Sequence, residues 1–148
     1  NKLSTFLLNS ILILIIFQII LGSFLSGLDG GLIYNSWPDM NGSFFPNDVL
    51  NDDYFSFRLF YNPSIIQFFH RITAYILLFF ILFLNYFFFT KKLVTTNIFV
   101  FNIAILIQTL LGIVTLISGV EIKFASLHQL GSILVLTSFL FIYYKNTN

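Results

Sequence analysis

The chain has 148 residues and a formal net charge of +1, with 57% hydrophobic and 9% charged residues, whereas a soluble domain carries about 45 to 50% apolar and about 25% charged residues. With a mean hydropathy of +0.91, this composition excludes a soluble enzyme and describes a chain whose surface meets lipid. So small a charge leaves no clustered basic field to hold nucleic acid. The absence of Cys removes disulfides, zinc-thiolate sites, iron-sulfur clusters and thiolate catalysis.

In chain order, the first apolar run covers residues 6–28. It exceeds the core of a signal peptide, typically about 7 to 15 residues, and has no small-residue cleavage site, so it is expected to be a retained helix. Residue 1 is Asn, as expected of a piece cut from a longer chain. Residues 29–64 differ in character. They hold Pro38, Pro46 and Pro63, and of the acids Asp29, Asp39, Asp48, Asp52 and Asp53, leaving only Glu121 elsewhere. This segment is predicted to be an extramembrane loop. Apolar runs follow at 65–90, 97–119 and 124–144, joined by links at 91–96 and 120–123. Each run suffices for the ~20 helical residues that cross a hydrocarbon core of about 30 Å. The predicted fold is all-α: residues 1–148 form one transmembrane domain, a polytopic four-helix bundle embedded in the lipid bilayer.

Lys2, Lys91, Lys92 and Lys145 fall on one side of this topology, and Arg58 and Lys123 on the other. Because basic loops stay on the cytoplasmic face, both termini are expected there, in a bacterial or mitochondrial inner membrane. Tyr34 and Trp37 suit an interfacial aromatic belt.

An internal repeat links the odd and even helices. Gln18, Gly22, Ser26, Gly27 and Asp29 are echoed in order by Gln108, Gly112, Ser118, Gly119 and Glu121, with a two-residue slip after the first Gly. Helices two and four each carry a His near the outer end with small residues one turn deeper: His70 with Thr73 and Ala74, and His128 with Gly131 and Ser132. At 1.5 Å per residue both imidazoles lie roughly 6 to 9 Å below the outer surface, on helices that run in the same direction. Residues i, i+3 and i+4 share a helix face, so the small side chains leave a flat gap that fits a planar macrocycle ligated by one imidazole from each side. The expected cofactor is one bis-His haem. Interhelical hydrogen bonding by each His and ordinary small-residue packing are the alternatives. Zinc wants three or four protein ligands, and no third His or Cys exists; Asp29 and Glu121 suit solvated helix ends. Arg71, an intramembrane cation that wants an anion, is a candidate partner for a haem propionate, as are Arg58 and Lys123, with snorkelling as the alternative. Gln67 and Gln129 are candidates for bonding the haem edge or fixing an imidazole tautomer; interhelical bonding is the other reading.

Five stretches together resemble the haem A synthase family. They are Gly-Leu-Asp-Gly-Gly-Leu-Ile-Tyr-Asn-Ser-Trp-Pro-Asp-Met-Asn-Gly at 27–42, Asn62-Pro63, Gln-Phe-Phe-His-Arg at 67–71, Gln-Thr-Leu-Leu-Gly-Ile-Val-Thr-Leu at 108–116, and Leu-His-Gln-Leu-Gly at 127–131. They span all four helices and the long loop. The resemblance implies an eight-helix, pseudo-symmetric fold of two four-helix halves, of which this chain matches the C-terminal half. It implies an oxidoreductase that converts the C8 methyl of haem O to the formyl of haem A by two hydroxylations and a dehydration. In that family the pair matched by His70 and His128 ligates haem b, while the substrate half, with its own His pair and catalytic Glu, has no counterpart here. The implied partners are haem O, haem O synthase, cytochrome c oxidase assembly factors, a quinol or other electron donor, and the N-terminal half of the protein or a second copy. Without the resemblance, the residues describe a bis-His membrane cytochrome b engaged only in electron transfer. A haem-free transporter or scaffold is a third reading, for which a helix broken at Gly112 or Gly119 would speak.

Overall fold

The computed structural model describes residues 2–49, 60–93 and 95–147. Four helices account for most of them: α1 (Lys2–Gly27), α2 (Pro63–Thr90), α3 (Thr96–Ile117) and α4 (Ile122–Thr147). All four are long and apolar enough to cross a membrane, and their bounds fall within a few residues of the predicted runs. The described residues contain no β-strand. Arg58, counted above on the outer side, lies outside the described residues.

Local chemistry sets where the helices start and stop. At α2 the Asn62 carboxamide accepts hydrogen bonds from the backbone N–H groups of Ser64 and Ile65 at 3.0 and 3.1 Å, and Pro63 occupies the first helical position. A capping Asn followed by Pro is a strong start signal, and it sets the helical phase of Gln67, His70 and Arg71. Helix α3 runs unbroken through Gly112 to Ile117. Past its C-cap Ser118 comes Gly119, where φ is +69°, the left-handed conformation that Gly adopts freely beyond a helix C-terminus.

The helices pack mainly as two hairpins, α1 with α2 and α3 with α4, joined along α1 and α4. Lipid tails are as apolar as Leu, so close packing and polar bonds between helices hold such a bundle together rather than escape from water. Phe79, Leu82, Phe99 and Leu134 accordingly point outward. The buried cluster lies in the half of the bundle nearer the chain termini. It includes Leu8 and Ile11 of α1, Ile81 and Leu84 of α2, Phe101 of α3 and Phe139 of α4, with the two Phe rings 5.3 Å apart. Asn85 and Asn102 exchange amide hydrogen bonds of 2.9 and 2.8 Å between α2 and α3, and Tyr143 donates to Asn9 at 2.7 Å between α4 and α1. Towards the other end, where the long loop lies, α3 buries nothing beyond Ile105 and α4 nothing before Val135. The α3–α4 hairpin is thus closely packed at the terminal end and looser at the loop end, while α2 stays buried there at Ser64, Ile65, Ile66 and Gln67.

Candidate haem site beneath the loop

Both histidines sit at that looser end, each about two turns from the start of its helix. Each is held by a Gln and a Gly one turn apart on the preceding helix. From α1, Gln18 Nε2 donates to the backbone carbonyl of His70 at 3.0 Å and lies 3.3 Å from its ring Nε2. A Cβ added at Gly22 would come within 3.3 Å of His70 Cε1. From α3, Gln108 Nε2 donates to the backbone carbonyl of His128 at 2.9 Å. A Cβ at Gly112 would lie 2.8 Å from His128 Cε1 and 3.4 Å from both ring nitrogens. The sequence repeat is therefore a repeated piece of geometry. Residues i and i+4 share a helix face: the Gln anchors the carbonyl of the His, and the Gly makes room for its ring.

Sequence reasoning noticed these Gln and Gly residues only as a repeat and left them out of the site. The signal was the Gln-x-x-x-Gly spacing shared by helices one and three, which becomes a cradle only once each odd helix is laid against the following even one.

The remaining candidates take varied positions. Gln67, 1% exposed, donates to the backbone carbonyl of Tyr34 at 2.9 Å and touches the loop, not an imidazole. Arg71, 9% exposed, folds under the loop instead of reaching to the surface: Nη1 donates to the carbonyl of Asp39 at 2.7 Å and Nη2 to that of Tyr34 at 3.0 Å. Thr73 is buried and Ala74 half-buried. The open side of Gly131 faces α3, where the Gln108 carboxamide fills it, so Gly131 opens no gap towards α2. Ser132 bonds back to the carbonyl of Gln129, which is itself exposed. Lys123 pairs with Glu121 at 2.8 Å on the surface, and Asp29 is exposed at the start of a short 3-10 turn, Gly30–Leu32.

The loop is a built cap. Tyr34 is 5% exposed, so it is not part of an interfacial belt: its hydroxyl donates to Asp48 at 2.5 Å and accepts the Asn47 N–H at 3.1 Å. Ser64, at the start of α2, donates to the other Asp48 oxygen at 2.6 Å. Burial chiefly, and then the neighbouring Asp48 carboxylate, push the Tyr34 hydroxyl above its ordinary pKa. Burial acts to raise Asp48, but the hydroxyls of Ser64 and Tyr34 and its own backbone N–H together hold it below the usual carboxylate value. The loop also bridges the hairpins. Asn35 donates to the carbonyl of Leu116 at 3.0 Å, and Gly31 packs so closely on Val120 that a Cβ there would lie 2.8 Å from Val120 Cγ2.

Among the described residues, the buried side-chain polar atoms without a partner are Gln18 Oε1, Gln67 Oε1, His70 Nδ1, Arg71 Nε, Gln108 Oε1 and His128 Nδ1. All belong to the two histidines and the residues that hold them and the loop. Buried polar groups are normally satisfied, so unspent hydrogen-bonding capacity gathered here suits a site for a polar or metal-bearing group. Two imidazoles are the donor set that the two axial positions of a haem would take, and among the described residues they belong to no cluster of three or more His, Cys, Asp or Glu.

Residues 1–140 match the family model described as cytochrome oxidase assembly protein. A heme A synthase of Pelagibacter ubique is 64% identical over 148 residues, covering 100% of this chain and 44% of that protein. The chain belongs to the haem A synthase family. Other family members of that name are 40% identical in Rickettsia bellii, over 85% of this chain and 38% of the relative, and 35% identical in Bartonella henselae, over 85% and 36%. The chain thus spans less than half the length of the haem A synthases it matches. No solved structure matches it.

Proposed function

We propose that this chain is the cofactor-holding part of a haem A synthase, binding one haem b between His70 and His128. The observation that carries the reading is the twin cradle: the same Gln and Gly, one turn apart, hold each of two histidines at matching depth beneath a capped end. When bound, the haem supplies one-electron redox chemistry, and the chain's own residues do the rest. Gln18 and Gln108 fix the helix register at the two ligands, Gly22 and Gly112 admit the rings, and the loop anchored by Gln67 and Arg71 keeps bulk water from the loop end. Arg71 Nε, buried without a partner, would meet a propionate oxygen, since Nη1 and Nη2 each already donate to the loop.

The whole protein, on this reading, oxidises the C8 methyl of haem O to the formyl of haem A, with the substrate half supplied by further sequence or a second copy. Haem O synthase, cytochrome c oxidase assembly factors and a quinol-type donor are its partners. Lys2, Lys91, Lys92 and Lys145 at the terminal end put that end in the cytoplasm and the loop on the outer side of an inner membrane. Because the chain has no Cys, single Cys substitutions report this directly: Ser36→Cys should react with an impermeant thiol reagent in intact cells and Thr147→Cys should not.

The decisive experiment is a reduced-minus-oxidised spectrum and pyridine haemochrome of the detergent-purified chain. A low-spin haem b near one per chain, lost in both His70→Ala and His128→Ala, is the expected result. A chain that folds, is supplied with haem and stays colourless overturns the reading, as does a spectrum unchanged in both variants. Conversion of haem O by the complete protein then separates a synthase from a cytochrome b that only transfers electrons.

A further inference from the structure

The two cradles differ at one atom. Gln108 Nε2 reaches only the backbone carbonyl of His128, whereas Gln18 Nε2 reaches both the backbone carbonyl and the ring Nε2 of His70. A carboxamide oxygen cannot donate, so the bond to the His70 carbonyl settles which end of Gln18 is the amide nitrogen. That nitrogen has two hydrogens and no acceptor capacity. With one hydrogen on the carbonyl, the second points at the imidazole, and the ring nitrogen facing it must be the acceptor. A neutral imidazole has one N–H and one lone pair. With the lone pair on Nε2, the proton resides on Nδ1, which is buried without a partner against Gly22.

We infer that Gln18 is a positioning residue that holds His70 as the Nδ1–H tautomer and so presents the Nε2 lone pair, while its counterpart Gln108 acts on helix register alone. This deepens the haem reading above, on which its significance rests, because a metal takes up a neutral imidazole through a lone-pair nitrogen, and the group at the other nitrogen usually selects it. Here the selection is made from the ligating side. Gln18 keeps the lone pair on Nε2 by donating to it, and the amide must yield when a metal claims it. Among the described residues the Gln108 amide bonds the His128 carbonyl and not its ring, so the two ligands are prepared differently despite their common scaffold.

The tautomer is measurable without any haem. The chain has two His, so 15N-histidine labelling of the full chain in detergent gives four ring nitrogens, assigned with His70→Ala and His128→Ala. Long-range proton-nitrogen correlation should show His70 protonated at Nδ1 alone. In Gln18→Leu that single-tautomer signature should be lost to a mixture, and in Gln108→Leu it should persist. A wild-type His70 protonated at Nε2, or a Gln18→Leu variant that keeps the wild-type pattern, overturns the inference. If Gln18→Leu fails to fold, the wild-type tautomer still decides the matter, and Gln18→Met, unbranched and of similar length, replaces it. Failure of the haem reading appears separately, as absence of low-spin haem in the wild-type chain, and leaves the tautomer result standing.

Discussion

The α1–α2 and α3–α4 hairpins carry similar cradles, yet the connections that join their helices differ. Between α1 and α2 the chain makes a long cap whose carbonyls are bonded by Arg71 and Gln67. Between α3 and α4 it makes only a tight turn through Gly119 and Val120, both at positive φ, a conformation costly for a β-branched residue such as Val. The difference shows that a ligand-holding unit here is a matter of helix faces, and that the connection above it is free to take another task. The cap serves both hairpins, because Asn35 and Gly31 reach across to the α3–α4 turn.

The largest expected break in this asymmetry is Arg71→Leu. Hydrogen bonds from a charged group contribute about 1.5 to 3 kcal/mol each, and two are lost at once: the Asp39 carbonyl loses Arg71, and the Tyr34 carbonyl keeps only the Gln67 donor. Amide exchange across residues 34–40 should rise by at least an order of magnitude, with haem held less firmly and its axial ligation intact. No substitution in the α3–α4 turn should reproduce this.

Next come the glycines, which test whether the cradles are equally tight. A Cβ at Gly112 meets the His128 ring at 2.8 Å and one at Gly22 meets the His70 ring at 3.3 Å. Overpacking costs about 1 to 3 kcal/mol, so Gly112→Ala should displace its imidazole and lower haem retention well below that of Gly22→Ala. Equal losses, read from haem content after purification, would mean that the two cradles do not differ in this way.

A smaller effect separates the cap from the cradles by pH. Asp48 is held below its ordinary value of 3.8, so its contribution is full above that value and is lost as pH falls through its lowered pKa. Tyr34 is raised above 10.0, so its contribution is full below 10.0 and is lost as pH rises through the raised value. Protection of the loop amides should be level between these limits and fall beyond both, while Asp48→Asn should remove most of the acid-side fall.

The smallest change is expected at the far end of the bundle. Interhelical hydrogen bonds in membranes average about 0.6 kcal/mol. Asn85→Leu should therefore lower thermal stability slightly and leave the haem spectrum as in the wild type. A shifted spectrum would show that the closed end and the loop end are coupled.

Much of the architecture was legible in the chain itself. Uninterrupted apolar runs of membrane length have no other way to satisfy their backbone than as helices, so four spans and a polar loop follow from composition and order alone. Asn62-Pro63 marks the start of α2, and the two histidines stand out in a chain with no Cys. What the sequence could not decide is which polar side chain meets which. Gln67 and Arg71 read as candidate neighbours of a cofactor, and nothing in the sequence signalled that both also bond the loop. Gln18 and Gln108 looked like a pattern, and they hold the histidines. Helical periodicity assigns a residue to a face of its own helix, but the partner across that face depends on how two helices are rotated and shifted against one another. That choice is made by packing of the whole bundle, from the Phe101–Phe139 contact at its closed end to Val120 against Gly31 beneath the loop, and it exists only in the tertiary structure.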